Sequence, residues 1–154
     1  MSSGTDWKKA QPLPKAVAKA LRVNFPMITA TGIYNDRNVA GTNKKSSHAE
    51  GRAIDIHLNA NQPNQRLVGD QLFQVLIDAA HATGIDNAIW NRRIWSTRHP
   101  MLRPYTGVNP HTDHIHVEFT REGSQQKTFH LLEMKIGQLR TGLEDLASQF
   151  TDVG

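Results

Sequence analysis

Two stretches of the chain alternate between apolar and polar residues, a period of two that predicts β-strands with one face in the core. They cover residues 53–58 and 114–119. The apolar positions are Ile54, Ile56, Leu58, Ile115, Val117 and Phe119. The positions between them are Ala53, Asp55, His57, His114, His116 and Glu118. We therefore expect each strand to turn one face to the core and a face rich in ionisable groups the other way.

Apolar residues recur at helical spacing elsewhere in the chain. A first helix is predicted from Pro14, a residue that suits the first helical turn. Its apolar positions are Val17, Leu21 and Val23. A second helix carries apolar residues between 72 and 80 and is predicted to end at Gly84, which suits the position after a helix.

Shorter segments complete the predicted secondary structure. Residues 27–33 are β-branched and predict a strand, and residues 88–90 and 93–95 predict a strand pair joined by a tight turn. The long connection at residues 96–110 is of the kind that lines a functional site.

The C-terminal part has apolar residues at alternating steps of three and four, which indicates a long amphipathic helix with a coiled-coil-like seam. They are Phe129, Leu132, Ile136, Leu139, Leu143, Leu146 and Phe150. Gly137 and Gly142 weaken this helix by roughly 1 kcal/mol each relative to alanine, so packing must hold it. Two interpretations remain open: the helix docks on its own domain, or it forms a homodimer or partner surface.

These elements predict an α+β fold in which a small antiparallel sheet is flanked by helices and followed by a long C-terminal amphipathic helix. Residues 1–13 are expected to be a lead-in, residues 14–124 the main domain and residues 125–154 the C-terminal helix. The functional cleft is expected on the open face of the sheet.

Composition fits this picture and excludes several classes of protein. The 154 residues are 38% hydrophobic and 21% charged, typical of one folded domain, and no run is apolar enough to span a membrane. No cysteine is present, so a disulfide framework is excluded. The net charge of +4 (18 − 14) hints at a polyanionic partner surface. No signal peptide is visible at the N-terminus.

The ionisable residues predict one metal site built from two distant stretches. A zinc-type ion takes about four ligands, and without cysteine only His, Asp and Glu can supply them. His48 and Asp55 lie seven residues apart, with Gly51 between them allowing a tight bend. Strict alternation places His114 and His116 on one side of the second strand. Packing and hydrogen bonding alone are the alternative explanation for these residues.

The same residues resemble a known motif. The pattern SxHxxGxAxD at 46–55, followed by DHIH at 113–116, is similar to the zinc motif of D-Ala-D-Ala carboxypeptidases and L-Ala-D-Glu endopeptidases. These are M15 peptidoglycan peptidases, related to the hedgehog-type fold. Residues 89–95 resemble a branch found in bacterial cell-wall and phage-associated proteins, and the resemblance covers roughly residues 28–119.

Carried over position by position, the resemblance implies His48, Asp55 and His116 as ligands of Zn²⁺. It implies Asp113 as the general base that takes a proton from the attacking water. Two alternatives remain open: Asp113 orients a histidine ring, or Glu118, on the same face as His116, is the base.

Other residues complete the predicted site. His114 is implied beside the water or the developing oxyanion, and Arg37 is implied as an oxyanion clamp, several residues later than in the family pattern. Ser46 is a candidate for orienting a ligand or contacting substrate, and Trp90 and Tyr105 for lining a substrate groove, with the core as the alternative for both aromatics. His57 and His111 are expected to lie at the rim or behind the ligands.

The resemblance implies a zinc-dependent hydrolase that cleaves an amide bond in the stem peptide of peptidoglycan. With no signal peptide visible, we expect delivery to the periplasm or cell wall by phage lysis or by a secretion apparatus, in the second case with an immunity protein as partner.

Two functions compete with this one. The first is a catalytically inert, metal-containing module that binds cell wall or protein. The second is a metal-dependent phosphodiesterase, which is disfavoured because the positive charges are scattered, so no nucleic-acid partner is expected.

Overall fold

The computed structural model describes residues 4–152, with side chains through residue 149. The helices in this part of the chain are α1 (Pro12–Asn24), α2 (Pro63–Asp78), α3 (Ala80–Thr83) and α4 (His130–Asp152). The strands are β1 (Thr31–Gly32), β2 (Ala53–His57), β3 (Ile85–Trp90), β4 (Arg93–Ser96), β5 (Arg103–Pro104) and β6 (His114–Phe119). Short 3-10 turns cover Ser47–Glu50 and Gly123–Gln125.

The six strands form one open antiparallel sheet in the order β1-β2-β6-β3-β4-β5, and the predicted α+β class is confirmed. β2 and β6 are separated by more than fifty residues yet lie side by side near the middle of this sheet. Their register sets Asp55 opposite His116 and His57 opposite His114. This pairing brings the two histidine-containing stretches together.

The predicted alternation of β2 and β6 is confirmed. Ile54, Ile56 and Leu58 are at most 1% exposed, and the apolar positions of β6 are fully buried. They form one core with apolar residues of α1, α2 and α4. The polar positions of both strands face the other side of the sheet, where the candidate site lies.

Helix α1 begins at Pro12, two residues before the predicted start. Its buried residues include Leu13, Val17 and Leu21, which recur every four residues and share one face. Val23 is 68% exposed, because two positions beyond Leu21 a helix has turned roughly 200° away from that face. Val23 therefore lies in the predicted helix but outside its buried face.

The strand predicted at residues 27–33 is reduced to β1, two residues that pair with β2. The Ile28 backbone N–H donates to the Phe25 carbonyl at 2.9 Å, so the chain turns there and does not run extended. Ile28 still contributes to the core, whereas Met27 is 39% exposed. The other predicted strand pair, β3 and β4, is confirmed and joined at Asn91 and Arg92.

The second predicted helix is present as α2 and α3, with a break at Ala79. It ends at Gly84, whose φ of 70° is in the left-handed region, as predicted.

The N-terminal half of α4 packs on the same chain. Leu132 and Ile136 are buried in the core, and Leu139 and Leu143 are partly buried against it. This favours the docked interpretation of the predicted seam. Leu146 is 40% exposed, and the predicted seam position 150 lies outside the described side chains. Within residues 4–152, no helix has the length and apolar character needed to cross a bilayer.

Candidate metal centre

The candidate site is a cavity of about 380 Å³ on the sheet face opposite the core. The polar positions of β6 and the apolar pair Ile89 and Ile94 form its floor. The loop before β2 and the connection between β5 and β6 form its walls. The predicted location on the open sheet face therefore agrees with the structure.

His48 is presented by the 3-10 turn Ser47–Glu50. Ser46 caps this turn by accepting a hydrogen bond from the Ala49 backbone N–H at 3.2 Å. Gly51 ends the turn with a φ of 68°, which suits glycine, so that the chain bends sharply into β2. The predicted bend at Gly51 is confirmed. Ser46 caps the turn that carries His48 and also lines the cavity, so both roles considered for it remain predictions.

The His48 ring is held by a backbone carbonyl. Its Nδ1 lies 2.8 Å from the Ile33 carbonyl oxygen, which can only accept, so Nδ1 carries the proton and donates. Nε2 then faces the Asp55 Oδ1 atom at 2.9 Å. The ring is 2% exposed, and its orientation is fixed in the way that metal-binding histidines usually are.

His116 reaches the same carboxylate from the neighbouring strand. Its Nδ1 atom lies 3.2 Å from Asp55 Oδ1, and its Nε2 atom lies 3.2 Å from Glu118 Oε1. Asp55 therefore stands between His48 and His116, close to both rings.

The three residues fit a divalent metal. Each offers one ligand atom, all within 4.8 Å of one another, in a group that could hold an ion. Ligands at the usual zinc bond lengths in a tetrahedron lie about 3.3 Å apart. The separations of 2.9 Å and 3.2 Å from Asp55 Oδ1 to the two ring nitrogens are close to this value.

The ionisable groups of the site shift one another strongly. Burial acts to raise the pKa of Asp55, but hydrogen bonds from His116 and His48 lower it far below its usual range. Burial acts to lower the pKa of His116, but hydrogen bonds to Asp55 and Glu118 raise that pKa to about 9. The ionised carboxylates of Asp55 and Glu118 are thus stabilised by a positive charge beside them. A proton on His116 or a divalent cation can supply that charge.

Asp113 and His114 form a pair at the edge of the site. The Asp113 carboxylate accepts from His114 Nδ1 at 2.7 Å, and this hydrogen bond lowers the pKa of Asp113. His114 lines the cavity with Nε2 3.5 Å from Asp55 Oδ1, whereas the Asp113 side chain is 81% exposed. As it stands, the carboxylate contacts the histidine ring, the alternative role considered from the sequence.

Of the remaining predicted site residues, two line the cavity and one lies in the core. Arg37 lines the cavity with a guanidinium nitrogen 3.9 Å from Asp55 Oδ2, and Tyr105 lines the opposite wall. Trp90 does not reach the cavity, since it lies on the helix side of the sheet, fully buried, with Nε1 donating to Asp70. Its expected place in a substrate groove is therefore corrected to the core.

His111 is more central than a rim residue. It is 7% exposed and lies with its ring 4.7 Å from that of His114 and 5.2 Å from that of Tyr105. Its Nδ1 donates to the Asn109 carbonyl at 2.7 Å. Burial, and electrostatic interactions with His114 and His116, lower its pKa to about 4, so the His111 ring is neutral at neutral pH. His57, in contrast, is exposed at the rim.

Glu118 also has partners that sequence reasoning missed. It accepts from Ser47 Oγ at 2.7 Å as well as from His116, and Arg52 lies 3.6 Å from its other oxygen. Burial acts to raise the pKa of Glu118, but hydrogen bonds from His116 and Ser47 lower it to about 2. In the sequence, only the position of Glu118 on the same strand face as His116 indicates that the two side chains meet. The alternating pattern of β6 does not predict the contact with Ser47, which lies in a distant turn.

Comparison with known proteins identifies the family. The family model for the VldE C-terminal domain matches residues 6–116, more than two thirds of the chain. No curated protein and no solved structure matches it. The matched segment includes His48, Asp55, Asp113, His114 and His116 and ends before Glu118. The chain therefore belongs to the family described as VldE, C-terminal domain.

Proposed function

We propose that this protein is a zinc-dependent hydrolase that cleaves an amide bond in the stem peptide of peptidoglycan. The observation that carries the proposal is the convergence of His48 Nε2 and His116 Nδ1 on Asp55 Oδ1, beside an open cavity that both histidines line. The M15-like motif carried by the same residues supports the substrate class.

In this proposal His48, Asp55 and His116 would hold the ion, and three protein ligands would leave a coordination position for water or substrate. Bound zinc would polarise the scissile carbonyl and make water a stronger nucleophile at neutral pH. The buried hydrogen bond from His48 to Ile33 and the contact of His116 with Glu118 keep both rings turned toward Asp55.

The proton acceptor is the Asp113–His114 pair. His114 Nε2 faces the cavity while Nδ1 is held by the carboxylate of Asp113, so a proton taken up at the ring is stabilised by a negative charge behind it. If the exposed Asp113 side chain turns toward the cavity, it can act directly, as the motif implies. In either arrangement, removal of Asp113 impairs hydrolysis.

Substrate contacts are supplied by the two walls. Arg37 is 48% exposed, so its guanidinium is free to bind a carboxylate or a developing oxyanion, a contribution of roughly 3–4 kcal/mol in other enzymes. Tyr105 also lines the cavity and offers a phenolic hydroxyl. A net charge of +4 suits an anionic cell wall.

A second candidate is an inert metal-containing module that binds cell wall or protein. One observation favours it: the Asp113 carboxylate is engaged with His114 and does not line the cavity. The two functions differ in one respect, since the enzyme requires Asp113 for turnover and the binding module requires only the cavity.

The test is digestion of purified sacculi with mass spectrometry of the released muropeptides. We expect the zinc-loaded protein to release new fragments, and His116→Ala, Asp113→Asn and chelator treatment to stop their release. His130→Ala, at an exposed position of α4, is the matched histidine control and should retain activity. Sacculus binding without any new fragment would favour the inert module, and equal digestion by metal-free protein would refute the proposed chemistry.

A further inference from the structure

Glu118 is the carboxylate that lies beside the ring nitrogen of His116 facing away from Asp55. It lies on the polar face of β6, two residues beyond His116, and is 20% exposed. The Oε1 atom accepts from Ser47 Oγ at 2.7 Å and lies 3.2 Å from His116 Nε2. The Oε2 atom faces Arg52 at 3.6 Å. Both oxygens are thus engaged with donors.

We propose that Glu118 is a positioning residue that fixes the His116 ring so that Nδ1, and not Nε2, is presented to the metal. The inference rests on the metal centre of the proposed function, but it does not require that the centre hydrolyse peptidoglycan. It also replaces the role of competing base that the sequence suggested for this residue.

The two histidine ligands present opposite ring nitrogens. His48 has Nδ1 occupied by the Ile33 carbonyl and turns Nε2 to Asp55. His116 has Nε2 occupied by Glu118 and turns Nδ1 to the same oxygen. A half turn of the His116 ring would remove Nδ1 from Asp55, and the acceptor on the far side opposes that turn.

Glu118 is itself held in place. Ser47 belongs to the turn that carries His48, so one hydroxyl links the supports of both ligands. Arg52 is fixed on its other side, with Nε donating to Glu50 at 2.8 Å and a terminal nitrogen donating to the Phe119 carbonyl at 2.8 Å. These bonds keep the carboxylate from rotating away from His116.

A carboxylate in this position is poorly suited to take a proton from water. Hydrogen bonds from Ser47 and His116 stabilise its charged form, and its oxygens are directed toward those donors. Positioning therefore accounts for its contacts better than general-base chemistry does.

The first measurement is zinc affinity of the full chain, by competition with a chromophoric chelator. Loss of a partner behind a metal ligand typically weakens binding about 10–100-fold. We expect a loss of this size for Glu118→Ala. We expect a smaller loss for Glu118→Gln, whose amide oxygen can still accept from His116, and for Ser47→Ala. Glu122→Ala, an exposed glutamate four residues on, should bind zinc as the unchanged protein does.

The second measurement identifies the ligating nitrogen by NMR of the ¹⁵N-labelled, zinc-loaded protein. We expect Nδ1 of His116 and Nε2 of His48 in the unchanged protein, and a mixture at His116 in the Glu118→Ala variant. A general loss of structure would disturb both histidines, whereas the proposed role disturbs only one. If Glu118→Ala does not fold, Ser47→Ala and Glu118→Gln decide by the same two measurements.

The outcomes separate this inference from the proposed function. Glu118→Ala with unchanged zinc affinity and Nδ1 still bound would overturn the positioning role alone. Zinc binding with the expected pattern, but without digestion of sacculi, would leave the positioning role intact and count against the hydrolase. Failure of the unchanged protein to bind zinc would overturn both.

Discussion

The N-terminal segment before α1 packs tightly on the turn that presents His48, and Gly51 is the point of contact. A Cβ added at Gly51 would lie 1.7 Å from the Lys9 carbonyl oxygen and 2.9 Å from the Ala10 Cα. Gly51 also has a φ of 68°, a conformation unfavourable for alanine. Gly51→Ala therefore tests whether this segment is part of the folded domain and not a loose lead-in.

The expected cost has two parts. The left-handed backbone costs alanine roughly 1–2 kcal/mol. The clash forces Lys9 and Ala10 away, which breaks the bonds from Gln11 N to the Gly51 carbonyl at 2.9 Å and from Gln11 Nε2 to the Glu50 carbonyl at 3.2 Å. Each such bond contributes about 0.5–1.5 kcal/mol, so the total is about 2–5 kcal/mol.

Gly41→Ala is the matched control, because Gly41 has a φ of 76° but nothing within 4 Å of an added Cβ. It should cost only the backbone part, about 1–2 kcal/mol. Urea denaturation followed by circular dichroism measures both values. We further expect Gly51→Ala to weaken zinc binding less than His48→Ala does, since the glycine variant retains all three proposed ligands. Equal destabilisation by the two glycine variants would refute the packing argument.

Three further predictions follow from the site and the core. Loss of a residue that supports a metal ligand typically weakens binding about 10–100-fold, and His48→Ala should weaken zinc binding by more than this. Calorimetric titration measures the change, and His130→Ala, at an exposed position, is the control that should bind zinc normally. His111 has its pKa lowered from 6.5 to about 4, so the unfolded chain takes up its proton first as the pH falls. As the pH falls from about 6.5 to about 4, the free energy of unfolding should therefore decrease by up to about 3 kcal/mol through His111. Urea denaturation measures this decrease, and His111→Gln should lack the contribution. Leu132→Ala, in the buried part of α4, should cost about 2–5 kcal/mol in thermal or urea unfolding, whereas Leu146→Ala should stay within about 0.5 kcal/mol.

The parts of the fold that could be predicted are those whose apolar residues follow a regular period along the sequence. Alternation in β2 and β6 identifies both the core face and the site face, because successive side chains of a strand point in opposite directions. The short segments were harder. Residues 27–33 are as β-branched as a true strand, but a backbone bond at Ile28 turns the chain, and only β1 remains. Trp90 was ambiguous because a strand end can turn an aromatic ring to either face.

The sequence predicts which residues come together but not how their side chains are oriented. The motif predicts His48, Asp55 and His116 as ligands, and the structure brings the atoms that could bind a metal within 4.8 Å of one another. The groups that orient them come from elsewhere: a carbonyl of residue 33, which precedes the polar loop, and a serine of the turn. No periodic pattern marks a backbone carbonyl as an acceptor for a particular ring, so such contacts emerge only when loops are placed.

The sheet and the side chains of the candidate site should respond differently to substitution. The sheet register that sets Asp55 opposite His116 is fixed by many buried side chains on the other face, so single substitutions on the polar face leave it in place. The choice of ring nitrogen at His116, in contrast, depends on one carboxylate and the donors behind it. Substitutions around Glu118 should therefore separate the fold from the proposed metal centre: we expect the sheet to remain, while the His116 ring loses the orientation proposed for zinc binding.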